Sequence, residues 1–405
     1  MREIKDWASL EGGLLRDVFL RLPADADAVR FRSVCRGWRV AAGAGVPVPR
    51  PWFALQPSGD SPARHAAVLR PAARRRRVRP VRADADADAV TGEWPPASAI
   101  RGASRGWLAV DDGKGKRLHL RDPVSRAEVP LPDPDAGYQL FDVFLSDDPL
   151  AAPGRWMAFA FFRSDDYTIM GHVLAFCRPG DAEWARIDAD DDGQVGQQMQ
   201  FYRGLEFFRG RAYVLLMNAG RIAVCDVEAR RLVVSSVRVP LPPGGEWEWQ
   251  ECLVECGGDL LVVQVWRRLE LRLSIYCMGG RIYRDRVWFL SSLTRVVFDA
   301  SGSGMPVASS VVASTGDYAL FVAPQGHAFA LPASGFPSVR PSCVYIFATD
   351  STRRVEGMVA IDLKADRPRH DKFVRKLPLA GNWRILSWFC PRSPVLDTTP
   401  ARRRR

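Results

Sequence analysis

Gly102-Ala-Ser-Arg-Gly106 fits the pattern Gly-x-Ser-x-Gly, the nucleophile elbow in which a strained strand-to-helix turn exposes a serine oxygen for acyl transfer. Here a β-type run, Trp107 to Val110, follows where a helix is required, and His65, His119, His172, His327 and His370 are isolated, with none in a recognisable pairing. The segment therefore reads as a glycine turn entering a strand. Asp188-Ala-Asp-Asp-Asp-Gly193 supplies oxygens at positions 1, 3 and 5 and glycine at 6 of a calcium loop, but position 12 is Met199. Without the bidentate glutamate the coordination shell stays open, and a solvated acidic turn is expected. Asp84, Asp86 and Asp88 lack the glycine, because Ala89 takes its place. Cys252 and Cys256 have no second ligand pair for zinc, so they read as core thiols. No catalytic residue, metal or cofactor is expected, and the protein is not expected to be an enzyme.

Thirteen tryptophans are present, most expected to pack between β-elements. Trp247 and Trp249 differ, since they alternate with Glu246, Glu248 and Glu251 after Pro242-Pro-Gly-Gly245. A loop that offers two aromatic anchors inside an acidic rim is a candidate target-binding patch for a basic protein surface. A strand edge that buries one of them is the competing account.

The formal charge of +11 is concentrated in two places, six arginines between Arg74 and Arg82 and four from Arg402 to Arg405. Without these ten the rest carries +1, so no basic face for nucleic acid is spread over the folded part. The two runs fit a nuclear-localisation signal or solvated charge, and the nucleus, the cytoplasm or both are expected. Apolar runs such as Trp156 to Phe162 and Leu260 to Trp266 are too short for a membrane span, and the charged start Met1-Arg-Glu-Ile-Lys-Asp does not fit a signal peptide. The eight cysteines are expected to be reduced.

After Gly106 the chain is a series of short β-type runs separated by turn residues: Trp107 to Val110, Leu140 to Leu145, Trp156 to Phe162, His172 to Cys177, Ala212 to Met217, Leu260 to Trp266, Tyr318 to Val322 and Cys343 to Phe347. Arg117-Leu-His-Leu-Arg-Asp122 and Arg221-Ile-Ala-Val-Cys-Asp226 align without a gap, and each leads to Val-Pro-Leu-Pro. Gly357-Met-Val-Ala-Ile-Asp362 is a partial third copy. A spacing of 104 residues between the first two is about twice the 40 to 50 residues of a propeller blade. The repeat predicts Asp122, Asp226 and Asp362 at equivalent blade positions. Residues 56–96, with Arg74 to Arg77, the alternating aspartates and Pro95-Pro96, read as a low-complexity insertion, partly disordered around one or two strands.

Ahead of this, Leu10, Leu14, Leu15, Val18 and Leu22 form an apolar stripe on a helix that stops at Pro23. A second helix is expected after Asp25 or Asp27, and a third from Ser33 that places Val34, Cys35, Trp38 and Ala41 on one face. Three helices in ~35 residues are below the size that supports its own core, so a partner is implied. The distance from Leu14-Leu15 through Arg21-Leu22-Pro23 to Phe31-Arg-Ser-Val-Cys-Arg-Gly-Trp38 resembles the plant F-box. Glu11 stands where that family usually has proline, and each glycine of Gly12-Gly13 costs the first turn roughly 1 kcal/mol relative to alanine.

Residues 51–391 resemble the plant KIB-type β-propeller family. The matching stretches are Gly102-Ala-Ser-Arg-Gly-Trp-Leu108 with Asp122-Pro-Val-Ser125, Phe207-Phe-Arg-Gly-Arg-Ala-Tyr213 through Asp226, Leu253-Val-Glu255 with Asp259-Leu-Leu-Val262, and Gly316-Asp-Tyr-Ala-Leu-Phe321 through Cys343-Val-Tyr345. The expected fold is mainly β: a three-helix F-box at 5–45, a propeller of about six or seven blades at 51–391, and a basic tail at 392–405. The resemblances imply a substrate-recognition subunit of an SCF-type cullin ubiquitin ligase. Leu10, Leu14, Leu15, Val18, Leu22, Pro23, Val34 and Trp38 would dock on a Skp-type adaptor, and through it a cullin, while the propeller presents an unidentified target protein. The rival readings are a non-ligase propeller scaffold and a propeller enzyme.

Overall fold

The computed structural model describes residues 7, 10–22, 31–32, 34–42, 51–57, 65–69, 89–93, 99–111, 117–123, 127–164, 171–189, 201–216, 220–239, 248–275, 281–323, 326–335, 339–350, 355–364, 375–377 and 383–390. Two helices, α1 (Gly12–Leu20) and α2 (Arg36–Ala42), precede the strands. The second of the three expected helices falls largely on 23–30, outside the described residues, so a three-helix module is not seen; Phe31 and Arg32 are helical. The last helix begins at Arg36 rather than Ser33. Despite its glycines, α1 starts at Gly12, with Glu11 at the N-cap making no side-chain bond to it.

The expected single-faced stripe on α1 divides in two. Successive residues on a helix are about 100° apart, so Leu14 and Leu15 cannot share a face. Leu15 is 2% exposed and packs with Phe19, Phe31 and Ala42, with Leu10, Leu22, Trp38 and Ala41 against that cluster. Leu14, Val18 and Val34 point outward, at 54%, 46% and 54% exposed. The module thus has a small core of its own, which the length argument did not anticipate.

The strands form antiparallel meanders. β1 (Trp52–Pro57), β2 (His65–Leu69) and β3 (Ala89–Glu93) are joined by the last strand, β25 (Trp383–Phe389), in the order β25-β1-β2-β3. β4 (Ala99–Ser104), β5 (Trp107–Asp111), β6 (Leu118–Arg121) and β7 (Glu128–Pro130) form the next sheet. β8 (Tyr138–Leu145), β9 (Ala158–Ser164), β10 (His172–Cys177) and β11 (Ala185–Ala189) form a meander, as do β12 (Tyr202–Phe208), β13 (Arg211–Leu216), β14 (Arg221–Asp226) and β15 (Arg231–Arg238); a short parallel pairing of β11 with β15 merges the two into one eight-stranded sheet. β16 (Glu248–Cys256), β17 (Asp259–Ile275), β18 (Arg281–Phe298) and β19 (Pro306–Val312) follow. The last sheet orders β20 (Tyr318–Val322), β21 (Ala328–Pro332), β22 (Cys343–Asp350), β23 (Val355–Asp362) and β24 (Arg375–Leu377) as β21-β20-β22-β23-β24.

Each of the eight β-type runs contains a strand, although Trp156 and Met157 precede β9 and Met217 is outside the described residues. β17 and β18 extend well past the run ending at Trp266, pairing to Ile275 and Arg281, a ribbon longer than the stretch over which β16 or β19 flanks it. β2 and β3 lie inside the low-complexity stretch, while Arg74 to Arg77 and Arg402 to Arg405 are outside the described residues.

Apolar clusters join each meander to the next. Trp107, Phe162 and Trp184 fill the first such interface, Phe159, Phe161 and Val214 the second, Tyr213, Leu253 and Val262 the third, Val263, Leu320 and Ile361 the fourth, and Phe321, Tyr345 and Trp388 the fifth. Each fully buried side chain of this kind contributes about 1.5 to 3 kcal/mol. Face-to-face packing in sequence order, closed by β25 on β1, gives the β-propeller-like arrangement that the repeat suggested.

The aspartate repeat holds for two copies. Asp122 directly follows β6 and Asp226 ends β14, each strand third in its meander, whereas Asp362 ends β23, fourth in its five-stranded order. Asp226 and Asp362 do accept turn amides, from Ala229 and Lys364.

Candidate functional site

One edge strand from every meander meets at a cavity of about 270 Å³. β4 brings Ser104, β8 Phe144, β12 Glu206, β16 Glu255, β21 Phe329 and β25 Trp388. These strands touch in turn, β25 on β4, β4 on β8, β12 on β16 and β16 on β21. Local turn chemistry sets this up. Arg105-Gly106, Arg209-Gly210 and Gly257-Gly258 all have positive φ and join an edge strand to its neighbour, as two-residue type I′ hairpins require. The Gly-x-Ser-x-Gly segment is therefore a hairpin: Ser104 accepts a hydrogen bond from the Leu145 amide and no helix follows.

A buried polar pair at the cavity wall, with His327 lining the space and Asp142 behind it, was not legible in the sequence. His327 Nε2 lies 2.5 Å from Asp142 Oδ1, across 185 positions of chain, and the Phe144 ring stacks on the imidazole at 4.2 Å. Histidine 327 is thus paired, not isolated as expected. Burial raises the Asp142 carboxyl above the usual carboxylate range, against the opposing pull of the His327 charge and of the bonds from His327 and the Val143 amide. Two glycines make room. A Cβ on Gly102 would sit 2.5 Å from Asp142 Oδ1, and one on Gly326, at φ +87°, would sit 1.9 Å from the Arg203 carbonyl oxygen. Gly326 is thereby held against β12, and Gln250 Nε2 donates to the Ala323 carbonyl.

Glu206 faces the same space. Its Oε1 accepts the Phe207 amide at 2.8 Å, and Arg105 Nη2 is 3.8 Å away. Burial pushes its carboxyl up to about 7, opposed by Arg105, the Phe207 amide and His327, and reinforced by Glu255. Arg105 itself is anchored through Nε to the Leu145 carbonyl at 2.8 Å. The site can hold charge and donate or accept hydrogen bonds.

The sequence candidates lie elsewhere. Trp247 is outside the described residues, and Trp249 stands in β16 opposite Trp266. The expected loop is a strand from Glu248 onward, and Glu251, expected in an acidic rim, is buried and accepts from Gln264 Nε2. Of the acidic calcium-like segment only Asp188 and Ala189 are described, within β11. Cys252 and Cys256 are buried free thiols. Pro23 is outside the described residues. Among the described residues, no group of three or more potential metal ligands occurs and no helix is long and apolar enough to cross a membrane.

A family model described as the KIB1-4 β-propeller matches residues 84–374. A protein of Arabidopsis thaliana, named as an F-box protein, is 34% identical over 134 residues, 30% of this chain and 31% of the relative. The match thus spans about a third of that relative's length. Among solved structures, the Cps50 (Swd1) β-propeller domain of Myceliophteria thermophila aligns at TM-score 0.31 and 11% identity, covering 70% of this chain and 74% of that one. The PQQ-bound aldose sugar dehydrogenase of Streptomyces coelicolor aligns at 0.25 and 12%, covering 73% and 99%. At such scores neither likeness bears on function.

Proposed function

The chain belongs to the KIB1-4 β-propeller family, and from that premise we propose that it is a substrate-recognition subunit of an SCF-type cullin ubiquitin ligase. Its α1–α2 module would dock on a Skp-type adaptor and its propeller, read here as six blades, would hold a target protein. The observation that carries this reading is the division of α1 into two faces. Leu15 and Phe19 close the module's own core, which leaves Leu14, Val18 and Val34 as an outward apolar patch. Apolar side chains so placed, with no covering element among the described residues, mark a protein contact. The adaptor-facing set is accordingly Leu14, Val18 and Val34, with Pro23 beside them in sequence, while Leu10, Leu15, Leu22 and Trp38 support the fold of the module. The subunit contributes proximity: holding a target near a charged conjugating enzyme raises the effective concentration of the target's lysine.

Co-purification of the full chain with a Skp-type adaptor tests the proposal. Leu14→Asp together with Val18→Asp is expected to abolish capture while the propeller's melting temperature stays unchanged. Undiminished capture by that variant, or no capture by the parent chain, overturns the ligase reading in favour of a scaffold that uses the propeller alone.

A further inference from the structure

We infer that the cavity where the six edge strands meet is a binding site for one basic side chain, arginine or lysine, presented by the protein that this receptor holds. The inference deepens the receptor reading and depends on it only for the nature of the partner. Three acceptors face the space with capacity unused. Glu206 has one oxygen on the Phe207 amide and none of its remaining capacity taken by a hydrogen bond among the described residues. Glu255 makes no hydrogen bond among them. His327 is only 8% exposed, and with Nε2 committed to Asp142 its Nδ1 has no partner there. In the neutral tautomer that donates from Nε2 to Asp142, Nδ1 is an acceptor.

Charge points the same way. Two carboxylates face one fixed guanidinium, that of Arg105, which is tied to the Leu145 carbonyl and stands 3.8 Å from Glu206. An anion would meet both glutamates. A neutral apolar ligand would strip water from them without replacing its hydrogen bonds. A guanidinium or ammonium supplies the donors these groups lack, and the rings of Phe207 and Phe329 on the cavity wall add cation–π attraction. The volume, about 270 Å³, is at the lower limit of small-molecule pockets and suits a single inserted side chain.

The test uses the full-length chain and three blocked peptides, acetyl-Gly-X-Gly-amide with X as arginine, glutamine or glutamate, followed by ligand-observed NMR at millimolar concentration. The arginine peptide is expected to bind and the other two to fail. Glu206→Gln with Glu255→Gln, which keeps the side-chain shape, is expected to weaken binding about tenfold or more, the scale of a lost charge-assisted bond. Arg105→Gln has the opposite expected sign, since it removes the competing cation. Affinity is expected to rise from about pH 6 to pH 8 as Glu206 gives up its proton, with Arg105, Glu255, His327 and Cys252 as its charged or titratable neighbours. Preference for the glutamate peptide, equal binding by the double variant, or no binding of the arginine peptide overturns the inference. Adaptor capture is measured separately, so its loss with peptide binding intact counts against the receptor reading alone.

Discussion

Asp142 has no exposed surface and one carboxylate oxygen without a hydrogen-bond partner among the described residues, an arrangement that costs stability and persists only because its surroundings are fixed. Gly102 is part of that fixation. Gly102→Ala would drive a methyl group to 2.5 Å from the carboxylate and 3.1 Å from the Val143 amide nitrogen, where neither neighbour has freedom to move. A loss of about 2 to 3 kcal/mol in urea unfolding is expected, as for other overpacked sites. Glu206 gives the matching pH signature. Burial pushes its carboxyl up to about 7 in the folded protein, against about 4.3 unfolded, so between those values the native state holds the extra proton. Stability therefore falls as pH rises through that window, by on the order of 3 kcal/mol. Glu206→Gln should flatten the profile, as followed by unfolding at pH 5 and pH 8 in about equal ionic strength; an unchanged slope would show that the carboxyl is not desolvated. None of this was visible in the sequence. Asp142 and His327 are ordinary residues in their own segments, and only the approach of His327, just ahead of β21, to β8 makes them a pair.

For the helices, sequence and structure agree on which residues are apolar and differ on where they point. Spacing alone allowed Leu10, Leu14, Leu15, Val18 and Leu22 to be drawn as one stripe, because Leu10 and Leu22 lie beyond the ends of α1 and Phe19 was left out of the pattern. With Phe19 included, Leu15 and Phe19 form the i, i+4 pair that faces inward, with the two rings Phe19 and Phe31 at 5.2 Å in edge contact. Leu15→Ala is expected to cost the module about 2 to 4 kcal/mol and to raise amide exchange throughout α1. Leu14→Ala should stay within about 0.5 kcal/mol of the parent and lose adaptor capture all the same. If both variants lose helix protection equally, the division of faces is wrong. The β-runs were easier to locate, since a strand buried on both sides is apolar along its whole length. Where β17 and β18 pass beyond their flanking strands, charged residues interleaved with apolar ones replace that run, and the signal for a strand weakens although the pairing continues.

A ring of separate sheets keeps its edge strands and is held together by packing between neighbours, and here closure depends on the two ends of the strand-forming region. β25 pairs with β1 from Trp52 opposite Phe389 to Pro57 opposite Trp383, with one register shift between Ala54 and Leu55. Both strands lie outside the 84–374 family match, and the sequence placed them within 51–391 only because the resemblance extended that far. Trp388 does the joining. It donates from Nε1 to the Val322 carbonyl at 3.0 Å, packs edge-on against Phe321 and stacks on Phe347 at 4.4 Å, while also lining the central cavity. Trp388→Ala removes a buried indole from β25, leaves the Val322 carbonyl without that donor and is expected to cost about 3 to 5 kcal/mol. Because the ring is closed at this seam, the loss should not stay local: amide protection should fall in β1, β2 and β20 together, and a single cooperative melt should move to lower temperature. Hydrogen exchange that changes only in residues 383–390 would mean instead that β25 is a peripheral strand and that the remaining meanders hold the ring without it.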